Sequence, residues 1–117
     1  VAIYGLPYKA RSIVAQHSLT EDHSRFLVGT QCLREENEIH LIEIEEEQRD
    51  IRCVGVYRHA NEVWHMAGST QDSAVFAVCH FPGRDPTGRM CATVYRLPSD
   101  SGADLHALCD IGSPAAD

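Results

Sequence analysis

Strand-like runs recur in the same order at a spacing of about fifty residues, and this limits the folds open to the chain more than any other feature. "RFLVGT" begins at residue 25 and "AVFAVC" at 74, 49 positions apart. "IHLIEI" at 39 and "ATVYRL" at 92 are 53 apart, as are "IRCVGV" at 51 and "DLHALC" at 104. In chain order the first half reads "RSIVAQHSL", "RFLVGT", "NEIHLIEI" and "IRCVGVY", and the second "EVWHMAGS", "SAVFAVCH", "MCATVYRL" and "ADLHALCDI". Each run is rich in β-branched or aromatic residues or alternates with period two, although "ADLHALCDI" would also suit a helix. Turn-forming clusters separate them: "TEDHS", "REEN", "EEEQRD", "STQDS", "FPGRDPTG" and "SDSG". Four short strands repeating at this period are what a β-propeller blade looks like in sequence. The predicted fold is all-β: a propeller segment of two four-stranded antiparallel blades, the first over 1–58 and the second over 59–117. "CHFPGRDPTGRM" is then an enlarged loop of the second blade.

Propellers have about four to eight blades, and a lone blade leaves a large face unburied. Two blades cannot close a ring, so the expectation is a piece of a longer propeller. The alternative that eight strands allow is a small closed β-barrel holding an apolar ligand. A barrel has no reason to repeat every fifty residues, which separates the two readings.

Charge and cysteine usage narrow the function. The net charge of −7 argues against nucleic-acid binding and against docking on anionic lipid. Much of it sits in "EIEEEQRD" at 43 to 50, read as a solvated turn between strands. Five cysteines, an odd number with no CxxC spacing, suit a reducing compartment. Three lie within apolar runs and are expected to behave as small core hydrophobes, with all five thiols free and unmetallated. No basic segment followed by an apolar run opens the chain, though it also lacks an initiator methionine, so a signal could have been removed. No apolar stretch approaches the ~20 residues that span a bilayer. The expectation is a soluble cytoplasmic protein.

Candidate chemistry is thin. Cys79, His80 and Cys91 could meet if their strands pair, but Cys79 and His80 are adjacent on a strand and face opposite sides. No metal or cofactor is expected. Nothing resembles GxSxG, and "GLPYKAR" has too few glycines for a phosphate loop, so no enzyme is expected either. In "NEVWHMAGS", strand alternation puts Val63, His65 and Ala67 on one face and Trp64, Met66 and Gly68 on the other. Trp64 is read as core and His65 as solvated.

Three residues bear on a structural repeat. In a WD-repeat blade a histidine precedes the inner strand and bonds inward toward a hydroxyl residue, an acid and a tryptophan. His59, four residues before Val63, fits that place, with Arg58 where glycine is usual. Tyr95 stands where the tryptophan of the WD dipeptide would be, and Arg96 replaces its aspartate. Ile42 and Glu43 are the matching pair in the first blade. His59, Trp64 and Tyr95 are thus the candidate structural residues.

A more specific likeness covers nearly the whole chain. "IYGLPYKAR" (3–11), "RFLVGTQCL" (25–33), "ENEIHLIEI" (36–44), "HANEVWHMA" (59–67) and "VYRLP" (94–98) resemble, in order and spacing, the N-terminal part of the family of EARP and GARP complex-interacting proteins. These are WD-repeat proteins of endosomal and Golgi retrograde traffic. The family tends to have tryptophan where Tyr95 stands, and the loop from Phe81 to Arg89 is individual to this chain. The resemblance implies a non-enzymatic scaffold or adaptor whose partners are subunits of the EARP and GARP vesicle-tethering complexes. It implies a peripheral location at recycling endosomes and the trans-Golgi network. It carries over no partner-contact residues.

Overall fold

The computed structural model describes residues 2–17, 24–33, 36–82, 88–100 and 102–112. Eight strands follow one another: β1 (Ala10–Gln16), β2 (Ser24–Thr30), β3 (Asn37–Glu45), β4 (Asp50–His59), β5 (His65–Gly68), β6 (Val75–His80), β7 (Cys91–Arg96) and β8 (His106–Ile111). They form two antiparallel four-stranded meanders, β1-β2-β3-β4 and β5-β6-β7-β8. Among the described residues there is no α-helix, and "ADLHALCDI" forms β8 over His106–Ile111. The sheets do not close on one another, which excludes the small barrel. β4 runs one residue past the boundary drawn at 58/59, because His59 still pairs with Asn37.

Alternation decides which faces meet. Leu27, Ile39 and Leu41 of the first sheet pack against Met66, Phe76 and Val78 of the second, with Val63 and Leu97 completing the core. Ile39 and Leu41 on β3 and Phe76 and Val78 on β6 fall at period two, so one face of each sheet lines the seam. The phase fails at Val63. It is fully buried although Met66, on the opposite face of an ideal strand, is buried too. The reason is that β5 starts only at His65. Val63 donates its N–H to Thr30 O of the first sheet and Trp64 donates its own to Cys79 O of the second. Two successive residues thus stitch one sheet to the other. Val63 lies over Gly29, where an added Cβ would come within 2.6 Å of Val63 Cβ and 2.8 Å of Ser12 Oγ.

The cysteines depart from expectation. Only Cys91 is buried; Cys32 and Cys79 are half-buried, and Cys53 and Cys109 are exposed. The two exposed thiols ride on β4 and β8, the outer strands of their sheets. Residues 83–87 of the expected enlarged loop lie outside the described residues, as do 18–19 at the end of the expected strand "RSIVAQHSL", 20–23 and 34–35 of the turns that follow, and 101 of "SDSG".

Candidate functional site

The second sheet carries a polar chain, buried at its two middle members and reaching an exposed carboxylate, that the sequence reading did not single out. Asn61 Nδ2 donates to His80 Nδ1 at 2.9 Å, which leaves the proton of the neutral ring on Nε2. That nitrogen donates to Thr93 Oγ1 at 2.9 Å, and the Thr93 hydroxyl donates to Asp110 Oδ1 at 2.7 Å. His80 and Thr93 are both buried. Burial pushes the His80 imidazole below its usual value, with the Asp110 carboxylate opposing. Every proton runs one way along the chain, toward the carboxylate. The histidine therefore donates to the hydroxyl instead of accepting from it, the reverse of what an activated nucleophile needs. What this geometry does is pin β6, β7 and β8 together. A signal was present in the sequence: His80 and Thr93 occupy the core phase of their strands, in step with Phe76, Val78 and Tyr95, and a polar residue at such a position must find a partner.

His59 sits beside that chain and, among the described residues, does not bond to a hydroxyl residue. Its Nδ1–H donates to Asn61 O at 2.7 Å. Its ring meets His80 edge-on at 4.9 Å and Tyr95 at 5.6 Å. Burial lowers its pKa to about 4, so the ring is neutral at physiological pH. Tyr95 in turn packs on Phe76 at 5.8 Å. Of the three candidate structural residues, His59 and Tyr95 are brought together and Trp64 is not. Trp64 lies outside the core cluster. It is half-buried where β5 begins, under the Arg11 guanidinium at 4.0 Å and edge-on to Phe81 at 5.5 Å. His65 is exposed, as read from the sequence.

Glu43, the first blade's counterpart of the WD acid, is buried between two cations. Arg25 Nε donates to its Oε1 at 2.9 Å and Arg52 Nε to its Oε2 at 2.8 Å. These bonds, Arg52's foremost, hold the carboxyl below the usual carboxylate range. Both arginines are its direct cross-strand neighbours. A second first-sheet cluster joins Tyr4 to His40 Nδ1 at 2.7 Å and His40 Nε2 to Glu38 at 3.0 Å. Cys91 Sγ faces His80 Nε2 at 3.9 Å, while Cys79 belongs to the opposite face of β6. One buried carboxylate oxygen, Glu62 Oε2, has no hydrogen-bond partner among the described residues. At the far end of the seam a groove of about 680 Å3 is lined by Gln16, Arg25, Tyr57, Arg96 and Leu97 among others.

Two successive four-stranded meanders, packed face to face and stitched at the inner strand of the second, define a segment of a β-propeller. Residues 1–113 match the EIPR1 beta-propeller family. The chain belongs to that family. It is 38% identical over 111 residues to the EARP-interacting protein homolog of Danio rerio, covering 95% of this chain and 28% of the relative. It is 36% identical over 114 residues to EARP and GARP complex-interacting protein 1 of Homo sapiens, covering 97% and 29%. The Arabidopsis thaliana WD repeat-containing protein DWA2 is 36% identical over 99 residues, covering 85% and 27%. The chain thus spans a little over a quarter of the length of the curated relatives it matches.

Proposed function

We propose that this chain supplies two blades, divided near His59, of a propeller scaffold that binds vesicle-tethering complexes of the EARP and GARP kind. In this reading it is an adaptor in endosomal recycling and retrograde traffic, cytoplasmic and peripheral at recycling endosomes and the trans-Golgi network. The observation that carries the proposal is identity of 36–38% across nearly the whole chain to relatives named for binding these complexes. The direction of the protons in the Asn61–His80–Thr93–Asp110 chain favours a scaffold over a catalyst. The acidic balance of the chain favours protein partners over nucleic acid.

The test is affinity purification of the tagged full-length protein followed by mass spectrometry, with the bait at native abundance. Tethering subunits enriched over a tag-only control are the expected result. Their repeated absence, with the complexes intact in the same lysate, would defeat the proposal.

A further inference from the structure

We infer that the end of the blades where β1 and β5 begin is a recognition surface for an acidic, apolar-anchored segment of a protein partner, with Arg11 at its centre. The inference rests on the adaptor reading above and gives it a surface. The register between β1 and β2 slips between Ala10 and Ser12, so Arg11 is the extra residue of a β-bulge. A bulge bends its strand and re-aims a side chain. Here it accompanies a guanidinium laid over the Trp64 ring of the neighbouring sheet at 4.0 Å, with Phe81 bracing the tryptophan from its edge. The contact leaves the guanidinium N–H donors without a hydrogen-bond partner among the described residues, and a guanidinium fork can take a carboxylate two-pronged. Contact with an aromatic also restricts a flexible side chain before any partner arrives, which lowers the ordering cost of binding.

Charge is distributed in keeping with this use. Arg11 and Lys9 are exposed, and neither forms an ion pair among the described residues. Most acids near this end are occupied or buried: Glu38 holds His40, Asp110 takes the Thr93 proton, and Glu62 is buried. The opposite end gathers exposed Glu46, Glu47, Asp50, Asp100 and Asp104. Among the described residues Arg49 is set among these acids, whereas Lys9 and Arg11 lie at the end where Glu36 is the exposed acid without an ion pair. Leu33 and Met90, 72% and 40% exposed, open from the loops at the same end and offer apolar contacts. Further blades stack on sheet faces and not on strand ends, so the surface stays open in a larger propeller.

The experiment uses purified full-length protein in three forms: unaltered, K9E/R11E, and the opposite-end control E46K/E47K. The probes are immobilised synthetic peptides that alternate Glu with Leu, their Lys–Leu counterparts, and a single-stranded oligonucleotide. The unaltered protein and the control should retain the acidic peptides over the basic ones, weakening with added salt. K9E/R11E should lose about tenfold or more, with its melting temperature kept. R11K/K9R, which keeps the charges but takes the planar fork from position 11, is the companion should K9E/R11E misfold; it should bind the acidic peptides several-fold more weakly than the unaltered protein, and equal binding would overturn the inference. No preference for acidic peptides, insensitivity to salt, equal binding by K9E/R11E, or tighter retention of the oligonucleotide would each overturn the inference. Because the peptides are synthetic, these outcomes are read independently of whether tethering complexes co-purify. A Glu–Leu preference without co-purified complexes defeats only the adaptor reading. Co-purification undiminished in K9E/R11E defeats only the surface.

Discussion

Gly29→Ala is the sharpest perturbation of the seam. Gly29 has an extended backbone, so alanine faces no conformational penalty there. In isolation it would stabilise by about 0.5–1 kcal/mol, by lowering the freedom of the unfolded chain. Space decides the opposite sign. The new Cβ would overlap Val63 Cγ1 and lie 2.6 Å from Val63 Cβ and 2.8 Å from Ser12 Oγ. Real side chains do not tolerate such distances, so something must move. Val63 cannot retreat freely, since its N–H is bound to Thr30 O and its side chain is fully buried. Overpacking of this kind costs about 1–3 kcal/mol, which leaves a net loss of roughly 0.5–2 kcal/mol once the backbone gain is subtracted. Thermal unfolding of the full-length protein gives the sign. Hydrogen exchange read on peptides covering 25–33 and 60–68 locates it, because opening the seam should release both together. A second background sharpens the test. In Val63→Ala the overlapping Cγ1 is gone although Cβ remains, and the smaller side chain leaves room to shift, so Gly29→Ala should cost about 0.5–1 kcal/mol less there than alone. Unchanged or raised stability in Gly29→Ala would refute the close-approach argument, as would additive effects in the double variant.

Acid should loosen the seam. The folded-state pKa of His59, about 4, lies below its ordinary 6.5, so its neutral form contributes stability that is full above pH 6.5 and lost as pH falls toward 4. The loss is about 2 kcal/mol on going from pH 7.5 to 5, and His80 shifts in the same direction; a pH series of thermal melts that is no flatter in His59→Phe would refute this. Thr93→Val leaves His80 Nε2–H and Asp110 without their shared partner and should cost about 1–3 kcal/mol, against under ~1 for Thr93→Ser; chemical denaturation compares the two, and equal losses would mean the hydroxyl chain is idle. Burial raises the Cys91 thiol, so timed alkylation with mass spectrometry should find Cys53 modified well before Cys91; the reverse order would contradict the assigned faces.

The architecture was legible because period-two alternation is a local property and the fifty-residue recurrence needs no tertiary knowledge. Val63 was misplaced because alternation presumes a continuous strand, whereas Glu62, Val63 and Trp64 cross between sheets before β5 begins. The same crossing moved Trp64 out of the core and under Arg11, a pairing across two blades that no spacing along the chain announces. Three of the five cysteines were assigned to the core from the apolar runs around them. That reasoning held for Cys91, which faces the other sheet. It failed for Cys109, since every residue of β8 is exposed in this chain. The hydroxyl chain could have been suspected from His80 and Thr93 at core phase. Its direction could not, because that follows from which nitrogen Asn61 reaches.

The face that β8 leaves open shows how stability and recognition are divided between parts of the blades. Val75, Ala77, Cys79, Ala92 and Val94 point away from the seam and are half-buried at most. Cys109 and Ile111 pair beside Val94 and Ala92 on that same side, and Ile111 is 58% exposed. The composition of this face is as apolar as the one already packed, and an apolar sheet face gains its stability only when something covers it. In a propeller the cover is the next blade, so each blade is buried on both faces and only its strand ends meet solvent. Side chains on the faces are thereby committed to packing, and substitutions there report on stability. The strand ends are free of that duty, which is why the exposed cations, the tryptophan platform and the acidic loops of this chain all gather at them. Charge reversal at Lys9 and Arg11 can therefore alter recognition while leaving the core untouched, whereas Gly29→Ala acts on the core first.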